Sequence, residues 1–283
     1  MKTNRPLLTK LLLGYGNLFP YHSGKATLHN WLRRVFQIEV TGETEVTRRG
    51  LRWQLDPEDC MQSPLFWVST RDRWGLHHLT QHLPSGAVVF DVGANFGYYS
   101  LTIAAHLKRN CQVYAFEPQR GTFQRLQTNI VLNQLEHVVH CHCLGLSDQE
   151  SQAQLVIKPG NYGATFVSTQ ADGESIRLTT MDGFCAVHKV NRLDLIKCDV
   201  EGFEERVLRG GYQMIQEHQP VIYIEINPPT LHRAGTSAAN LVNLLRGFGY
   251  DLMRIQHHHL VPLPEIPQGE DYEDCFCLPR GKR

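Results

Sequence analysis

Short apolar segments alternate with amphipathic segments along most of the chain after residue 80. The apolar segments have the length and the β-branched or aromatic content of buried strands. They lie at residues 87–93, 112–118, 138–147, 193–202 and 220–226. Between most of them, apolar residues recur at helical spacing. This alternation implies right-handed crossovers, so we predict an α/β fold with a mostly parallel sheet and helices on both faces.

Two more strands are predicted near the C-terminus, at residues 250–256 and 271–279. The Pro-rich stretch between them is too short for a crossover helix, whereas an antiparallel pair needs only a loop. We therefore expect these two strands to form an antiparallel pair at or near one edge of the sheet.

Two regions depart from the alternation. Residues 148–182 contain three short alternating segments, which predict a β-meander inserted between the third and fourth parallel strands. Residues 1–80 contain a predicted helix at 25–37 and two short predicted strands at 43–48 and 51–56. We therefore expect an N-terminal extension or cap, residues 1–80, followed by a main α/β domain, residues 81–283, that carries the insertion.

The charge balance narrows the range of partners. The chain has 28 Lys and Arg against 28 Asp and Glu, so no broad basic face is indicated and we expect no nucleic-acid partner. No apolar run reaches the length of a membrane span. Lys10 interrupts the leucines near the N-terminus and no small-residue cleavage site follows. We expect an amphipathic helix packed on the main domain there, rather than a secretory leader.

The eight cysteines include no C-x-x-C pair, and most of them fall within apolar predicted strands. Cysteine in such a strand behaves as a small buried hydrophobic residue. This usage favours a reducing, cytoplasmic compartment.

Residues 90–97, FDVGANFG, connect the first parallel strand to a helix. Ligands of open parallel sheets bind outside the carboxyl ends of the strands, where this turn lies. A dinucleotide site requires G-x-G-x-x-G, but Asn95 occupies the place of the middle glycine. The nearby carboxylate of Asp91 would also repel a pyrophosphate. S-adenosylmethionine, which carries an ammonium group and no phosphate, suits the turn better.

The turn and the next strand end supply the predicted cofactor contacts. We expect Asp91 to organise the loop and to receive the amino group, directly or through water. The backbone N–H groups from Gly93 through Asn95 to Gly97 would bind the carboxylate, aided by the positive end of the following helix. Glu117, next to Pro118, would accept both ribose hydroxyls.

The third strand is followed by Ser147 and Asp148, which we place near the adenine. The Asp148 carboxylate would accept a hydrogen bond from the exocyclic amine. Asp148 is equally compatible with a role as a turn residue only.

Several stretches resemble the FkbM-type S-adenosylmethionine-dependent methyltransferases; they are VFDVGANFGYYSL, VYAFEPQ, LQTNIVLN, LGLSD, LTTMDGF, LDLIKCDVEGFEERVLRGG and PVIYIEI. They cover about residues 86–227, and KCDVEGFEERVLRGG is the most specific. The resemblance implies the seven-stranded class I methyltransferase sheet, with a terminal antiparallel strand. It also implies O-methylation of hydroxyls on sugars, polyketides or other secondary metabolites. Gly183 departs from the family, which often has an acidic residue there.

Methyl transfer to oxygen requires alignment of the reacting atoms and an acceptor for the hydroxyl proton. Asp199 and Glu201 share one side of the fourth strand end, and Glu225 and Asn227 share one side of the fifth. Asp199 would also lie beside the cofactor. Glu201 is alternatively a helix cap. For Lys197 we expect a lysine with a buried stem near the sheet edge, without a chemical role.

Neighbouring fourth and fifth strands would bring Asp199, Glu225 and Asn227 together beside the methyl group. These residues would then supply a general base or, alternatively, ligands for Mg²⁺.

We therefore expect an S-adenosylmethionine-dependent O-methyltransferase that acts on a hydroxyl of a small molecule or glycan. A nicotinamide-dependent oxidoreductase is the alternative enzyme class. A methyltransferase-like binding module without catalysis is the non-enzymatic alternative. The sequence leaves the acceptor and the oligomeric state open, with a homodimer among the options.

Overall fold

A computed structural model of the chain describes residues 2–18, 24–69, 72–158, 161–168, 173–256 and 258–281. The elements of the N-terminal region are β1 (Lys2–Thr3), α1 (Pro6–Leu18), α2 (Lys25–Val35), β2 (Val40–Thr41), β3 (Thr44–Arg48), β4 (Leu51–Leu55), α3 (Ser63–Val68) and α4 (Arg73–Gln81). Strands β1 and β2 pair with each other, as do β3 and β4, and both pairs are antiparallel.

Strands and helices alternate through the rest of the chain. In order, they are β5 (Ala87–Val92), α5 (Tyr98–His106), β6 (Cys111–Phe116), α6 (Arg120–Leu132), β7 (Val139–His142), β8 (Gly145–Leu146), β9 (Ser151–Lys158), β10 (Asn161–Ser168), β11 (Glu174–Thr179), α7 (Met181–His188), β12 (Leu195–Cys198), α8 (Glu204–Gly210), α9 (Tyr212–His218), β13 (Val221–Ile226), α10 (Pro228–Arg233), α11 (Ala238–Gly247), β14 (Tyr250–Gln256), β15 (His259–Pro262) and β16 (Glu273–Pro279).

The main sheet has the strand order β15-β14-β16-β13-β12-β5-β6-β7. Its five strands from β13 to β7 are parallel, and β16 lies antiparallel between β13 and β14. The predicted α/β fold and the antiparallel pair near one edge are confirmed. The predicted number of seven strands is too low by one, because β15, in the stretch that we interpreted as a loop, pairs with the outer edge of β14.

Strand β5 is an interior strand of the main sheet, and the glycine turn follows its carboxyl end. Most of its residues are buried, as expected for a strand covered on both faces. It pairs with β6 on one side and with β12 on the other, and the β12 register places Lys197 opposite Asp91. The turn after β5 therefore lies between the carboxyl ends of two neighbouring parallel strands.

The first 80 residues share a hydrophobic core with one face of the main sheet. That core includes Leu12 and Trp53 from the N-terminal region and Val89 from β5. The Trp53 and Phe96 rings lie 6.0 Å apart, centroid to centroid, edge to face. A second core, which includes Phe184 and Ile222, fills the other side of the sheet.

The inserted segment forms a four-stranded sheet with the order β10-β9-β11-β8. A meander would place β10 in the middle, so the predicted β-meander is wrong in its strand order. Strand β11 pairs antiparallel with β9 and then continues parallel to β8. This pairing joins the insertion to the end of the third parallel segment and brings its apolar face against the site described below.

None of the helices within these residue ranges combines the length and the apolar character that a membrane-spanning segment requires. The eight cysteines, all of which lie in those ranges, are free thiols, and most are buried or half-buried.

Candidate active site

The turn after β5 depends on glycine at position 93. Gly93 has φ +77°, and a Cβ at this position would lie 2.0 Å from the carbonyl oxygen of Asp199. Asn95 and Gly97 also have positive φ, at 52° and 96°, and Gly97 is the N-cap of α5. The turn therefore approaches the backbone after β12 so closely that no side chain fits between them.

Asp91 supports this turn from below. It is fully buried, and its Oδ2 accepts hydrogen bonds from the N–H of Ser100 at 3.0 Å and from its hydroxyl at 2.6 Å. Burial raises the pKa of the Asp91 carboxyl, and the charge of Lys197 and the Ser100 bonds oppose that shift. Asp91 thus holds the start of α5, as predicted for loop organisation, but it does not line the cavity above the turn.

Lys197 occupies the centre of the site rather than a structural position at the sheet edge. Its Nζ donates to the carbonyl oxygen of Gly93 at 2.9 Å. The same atom lies 3.7 Å from Oδ1 of Asp91 and 3.6 Å from Oδ2 of Asp199. The expected buried stem is confirmed, but the position near the sheet edge is wrong, because β12 is an interior strand between β5 and β13. The KCD alternation, combined with the pairing of β12 to β5, was the signal for this contact.

Glu117 follows β6 and faces the same turn. Its Oε2 accepts the N–H of Asn95 and its Oε1 accepts the N–H of Gln119, each at 3.0 Å. Burial raises the pKa of the Glu117 carboxyl to about 7, although these two bonds lower it. Each oxygen keeps a further lone pair that can accept a ligand hydroxyl.

A cavity with an empty volume of about 960 Å³, counted to its open mouth, lies over these groups. We call it the first cavity. Of the predicted cofactor residues, its lining includes Gly93, Asn95, Glu117, Pro118 and Asp199. The turn and the buried Glu117 carboxylate fit an adenosyl amino acid such as S-adenosylmethionine. The predicted binding of a ligand carboxylate by the backbone N–H groups of residues 93–97 is wrong, because all five groups already donate to acceptors within the protein.

The opposite wall of the first cavity is apolar and was not predicted. It includes Leu155, Ile176 and Leu178 from the inserted sheet, together with Phe203. An apolar wall of this kind suits a purine ring. The alternation of apolar residues in β9 and β11 was the sequence signal that could have identified these wall residues.

Ser147 and Asp148 lie outside the lining of the first cavity. The Ser147 hydroxyl donates to Oδ1 of Asp148 at 3.1 Å, and that oxygen lies 3.7 Å from Nη1 of Arg206. The alternative interpretation of Asp148, as a turn residue, agrees with this position.

A second cavity adjoins the first, and its lining is rich in carboxylates. The residues that line both cavities are Met61, Tyr99, Lys197, Asp199 and Glu201. The second cavity adds Asp72, Cys198, Tyr223, Glu225, Tyr272 and Asp274. It therefore contains five carboxyl side chains and one lysine, and it meets the first cavity at Asp199.

Glu225 is the most perturbed acid of the second cavity. Its Oε2 is buried and has no hydrogen-bond partner within the part of the chain that the structure describes. Burial, and then the charges of Asp199, Glu204, Glu201 and Asp274, raise the pKa of Glu225 to about 9. A carboxylate in such surroundings is a strong proton acceptor once it is ionised.

Asp72 connects the N-terminal region to the second cavity, and sequence reasoning missed it. It caps α4 through the N–H of Gly75, at 2.8 Å from Oδ1. Its Oδ2 accepts the hydroxyls of Tyr99 at 2.6 Å and Tyr223 at 2.7 Å. An N-cap aspartate before α4 was visible in the sequence, but its distant tyrosine partners were not.

Asn227 does not join Asp199 and Glu225. It caps α10, with its Oδ1 3.5 Å from the N–H of Thr230, and it is not part of the second-cavity lining. No group of three or more His, Cys, Asp or Glu in the described ranges is arranged to hold a metal ion. The ligand set predicted for Mg²⁺ is therefore not assembled.

Glu204 is the carboxylate that orders the turn after β12. Its Oε1 accepts the N–H of Val200 at 2.9 Å and that of Gly202 at 3.2 Å. Glu201 lies in this turn with φ 54° and lines both cavities.

Several known proteins are similar in sequence to part of this chain. AMB antimetabolite synthetase AmbE of Pseudomonas aeruginosa is 26% identical over 70% of this chain, which spans only 11% of AmbE. The 31-O-demethyl-FK506 methyltransferase FkbM of Streptomyces tacrolimicus is 27% identical over 65% of this chain and 80% of its own length. Hexuronic acid methyltransferase AglP of Haloferax volcanii is 28% identical over 56% and 61%, respectively.

Among solved structures, a methyltransferase FkbM from Methylobacillus flagellatus aligns with a TM-score of 0.46 at 16% identity, over 91% of this chain and 71% of that chain. The profile of the methyltransferase FkbM domain matches residues 91–252, which is more than half of the chain. That range begins at Asp91 and includes the glycine turn, Glu117, Lys197, Asp199 and Glu225. The chain therefore belongs to the methyltransferase FkbM family.

Proposed function

We propose that the protein transfers the methyl group of S-adenosylmethionine to a hydroxyl of a small molecule or glycan. The observation that carries this proposal is the junction of the two cavities at Asp199, Lys197 and Glu201. A cofactor in the first cavity and an acceptor in the second would meet at that junction. Bringing the two reactants together in this way supplies much of the rate enhancement of a displacement reaction.

The first cavity supports the choice of methyl donor. Glu117 keeps both carboxylate oxygens directed to the turn, where two ribose hydroxyls would donate to them. Gly93 has no side chain, so the turn that lines this cavity packs directly against the backbone after β12. When bound, S-adenosylmethionine supplies a methyl carbon activated by its sulfonium.

Glu225 is the proton acceptor in this proposal. Its buried Oε2 has no hydrogen-bond partner among the described residues, whereas Asp199 is paired with Lys197. Glu225 would take the proton that the acceptor hydroxyl loses as its oxygen bonds to the methyl carbon. Because the base must be ionised, kcat/KM should rise with pH until about pH 9, the pKa of Glu225.

The second cavity also constrains the acceptor. Five carboxyl groups and one lysine would repel an anionic ligand. Tyr272, which is 63% exposed, provides a ring face and a hydroxyl of the kind that bind sugars, while Tyr99 and Tyr223 line the cavity with their hydroxyls donated to Asp72. We therefore propose a neutral, polyhydroxylated acceptor. This differs from the hexuronic acid that gives AglP its name.

The region before residue 81 would act in acceptor recognition, because Asp72 and Met61 line the second cavity. This role is consistent with the expectation that residues 1–80 form a cap over the main domain.

The first test is calorimetric titration with S-adenosylhomocysteine, with NAD in parallel. We expect micromolar binding of the former, loss of that binding in Glu117→Ala and no binding of NAD. Binding of NAD alone would instead support the oxidoreductase alternative. Donor binding without transfer to any hydroxylated acceptor would support the non-catalytic alternative.

The second test compares methyl transfer to methyl glucoside and to its uronic acid counterpart. We expect transfer only to the neutral sugar. Glu225→Gln should lower kcat by about 10²- to 10⁴-fold and leave S-adenosylhomocysteine affinity unchanged. Glu273→Gln is the matched control, because Glu273 is a nearby carboxylate on β16 outside both cavities. Preference for the uronic acid, or full activity in Glu225→Gln, would contradict the proposal.

A chelator tests the metal alternative in the same assay. We expect activity to persist in EDTA, since Asn227 caps a helix and the predicted ligand set is incomplete. Loss of activity in EDTA, with recovery on addition of Mg²⁺, would instead favour metal activation of the hydroxyl.

A further inference from the structure

Helix α1 exposes a row of leucines on the side opposite to its packed face. Its buried residues are Thr9, Leu12 and Gly16. Leu7, Leu11 and Leu18 are 72%, 62% and 79% exposed. Their spacing places all three on the other side of the helix. The row is therefore apolar surface that the described part of the chain leaves exposed.

Helix α2 carries a second exposed row. Leu28, Trp31 and Val35 recur at helical spacing and are 41%, 56% and 53% exposed. The opposite side of α2 buries Lys25 and His29. We call the six exposed residues of α1 and α2 the N-terminal helical face.

The charge near these two helices is mainly positive, although the exposed Glu39 follows directly in sequence and donates its backbone N–H to Asn4. The first 38 residues contain six of the 28 Lys and Arg and none of the 28 Asp and Glu, so the rest of the chain has a net charge of −6. Lys2, Arg5, Lys10 and Arg34 are exposed. A chain that is neutral as a whole thus concentrates positive charge beside its exposed apolar rows.

A cavity between α2 and α3 adds unsatisfied donors to the same region. Its lining includes Arg33, Arg34 and Trp67, together with one carboxylate, that of Glu39. The guanidinium of Arg33 lies over the Trp67 ring, 4.2 Å from the centroid. The Nε of Arg33 and the Nε1 of Trp67 are buried and have no hydrogen-bond partner among the described residues. Donors of this kind favour an anionic group in the cavity.

We propose that the N-terminal helical face binds the surface of an anionic lipid bilayer. Apolar rows that include Trp, next to an excess of Lys and Arg over acidic residues, match the chemistry of interfacial helices. The acyl region would cover the leucines and Trp31, while Arg34 and Lys10 contact the headgroups. A symmetric dimer through this face would bring like charges together, so a second copy is disfavoured.

The lipid surface proposal does not depend on the acceptor or on the proton acceptor. Cys60 lines the α2–α3 cavity, and its neighbour Met61 lines both active-site cavities. The proposed bilayer contact and the active site are thus connected by a short stretch of chain.

Flotation of the full chain with vesicles tests the proposal. We expect binding to phosphatidylcholine vesicles that contain about 30% phosphatidylglycerol, weak binding to phosphatidylcholine alone, and loss of binding in high salt. Leu11→Gln with Leu18→Gln, and separately Leu28→Gln with Trp31→Gln, should each lower partitioning at least about tenfold. Lys10→Glu with Arg34→Glu should lower partitioning onto the vesicles about 100-fold or more, because each unit of charge changes it about fivefold.

The matched control is Val187→Gln with Tyr212→Gln, because both residues are exposed apolar residues elsewhere on the surface. It should float like the wild type, and every variant should keep its melting temperature and S-adenosylhomocysteine affinity. No flotation with anionic vesicles, or equal loss in the control, would overturn the proposal. A concentration-dependent dimer that the glutamine variants abolish would overturn it as well, because the face would then be a protein interface.

Discussion

The two cavities of the active site are built differently. The first cavity depends on backbone: a glycine turn after β5, its contact with the chain after β12, and the Glu117 carboxylate that accepts backbone N–H groups. The second depends on side chains from separate parts of the chain; they include Asp72, Tyr99, Tyr223, Glu225 and Asp274. Side chains can be exchanged without changing the backbone. The acceptor can therefore vary on this scaffold while the donor site stays the same.

Substitution of Lys197 should have the largest effect, because this residue lines both cavities. Lys197→Met should lower the free energy of unfolding by about 3–5 kcal/mol, since it leaves buried Asp91 without its cation. It should also weaken S-adenosylhomocysteine binding, because the Gly93 carbonyl loses its donor. Chemical denaturation and calorimetry measure the two effects.

A second substitution separates charge from packing at Lys197. Asp91→Asn in the Lys197→Met background removes the unpaired carboxylate and should recover part of the lost stability. Near-neutral behaviour of Lys197→Met alone would restore the interpretation that this lysine has only a peripheral structural position.

Gly93→Ala should damage the first cavity selectively. Its Cβ would lie 2.0 Å from the Asp199 carbonyl oxygen, and the residue would have to keep φ near +77°. We expect S-adenosylhomocysteine affinity to fall by about 100-fold, the equivalent of ~3 kcal/mol of strain and displaced backbone. Gly121→Ala is the control, because its Cβ would enter open space on α6. Equal affinity in the two variants would show that the turn does not form the donor site.

Asp72→Asn should affect the second cavity instead. An amide keeps one acceptor oxygen, so it cannot both cap α4 and accept the two tyrosine hydroxyls. We expect the KM for the acceptor to rise about tenfold, from ~1.4 kcal/mol of lost positioning, with S-adenosylhomocysteine affinity within about twofold. Steady-state kinetics and calorimetry separate these quantities.

Asp194→Asn provides the control for Asp72→Asn. Asp194 also accepts a backbone N–H, that of Val88, but at the other end of β5. It should lose stability without a change in KM. If Asp72→Asn also weakened S-adenosylhomocysteine binding, a change in the second cavity would affect the first, and the two cavities would not be independent.

The predictable part of the molecule is the part that local sequence determines. Strand β5, the glycine turn and Glu117 follow from apolar runs, turn chemistry and position after a strand. Those signals are contained within a few residues. The main sheet was predictable for the same reason, except for β15, whose pairing depends on the free edge of β14.

The missed contacts all join residues that are distant in sequence. Lys197 reaches Asp91 only through the pairing of β12 with β5, and Asp72 reaches Tyr223 only through tertiary packing. We predicted Asp148 near the adenine because it follows the third strand, but its carboxylate lies beside Arg206 from α8. The order of the inserted sheet likewise depends on β11 pairing with β9. No local pattern specifies such partners.

The smallest expected effect is a pH dependence of donor binding that originates at Glu117. Burial raises the pKa of this carboxyl to about 7 in the free protein. Two ribose hydroxyls donating to it would favour the ionised form, so the pKa should be lower in the complex. Binding should therefore release protons and be strongest above pH 7. We expect the S-adenosylhomocysteine Kd to rise about fourfold from pH 8 to pH 6.5.

Buffer choice makes this effect measurable even though the change in Kd is modest. Calorimetry at pH 7 in buffers with different ionisation enthalpies should show release of about half a proton per ligand bound. Glu204 also has a pKa of about 7, so Glu117→Gln is the decisive control. Proton release that persists in Glu117→Gln would assign the linkage to another carboxyl. Its loss would assign the released proton to Glu117, at the position proposed for the ribose in the first cavity.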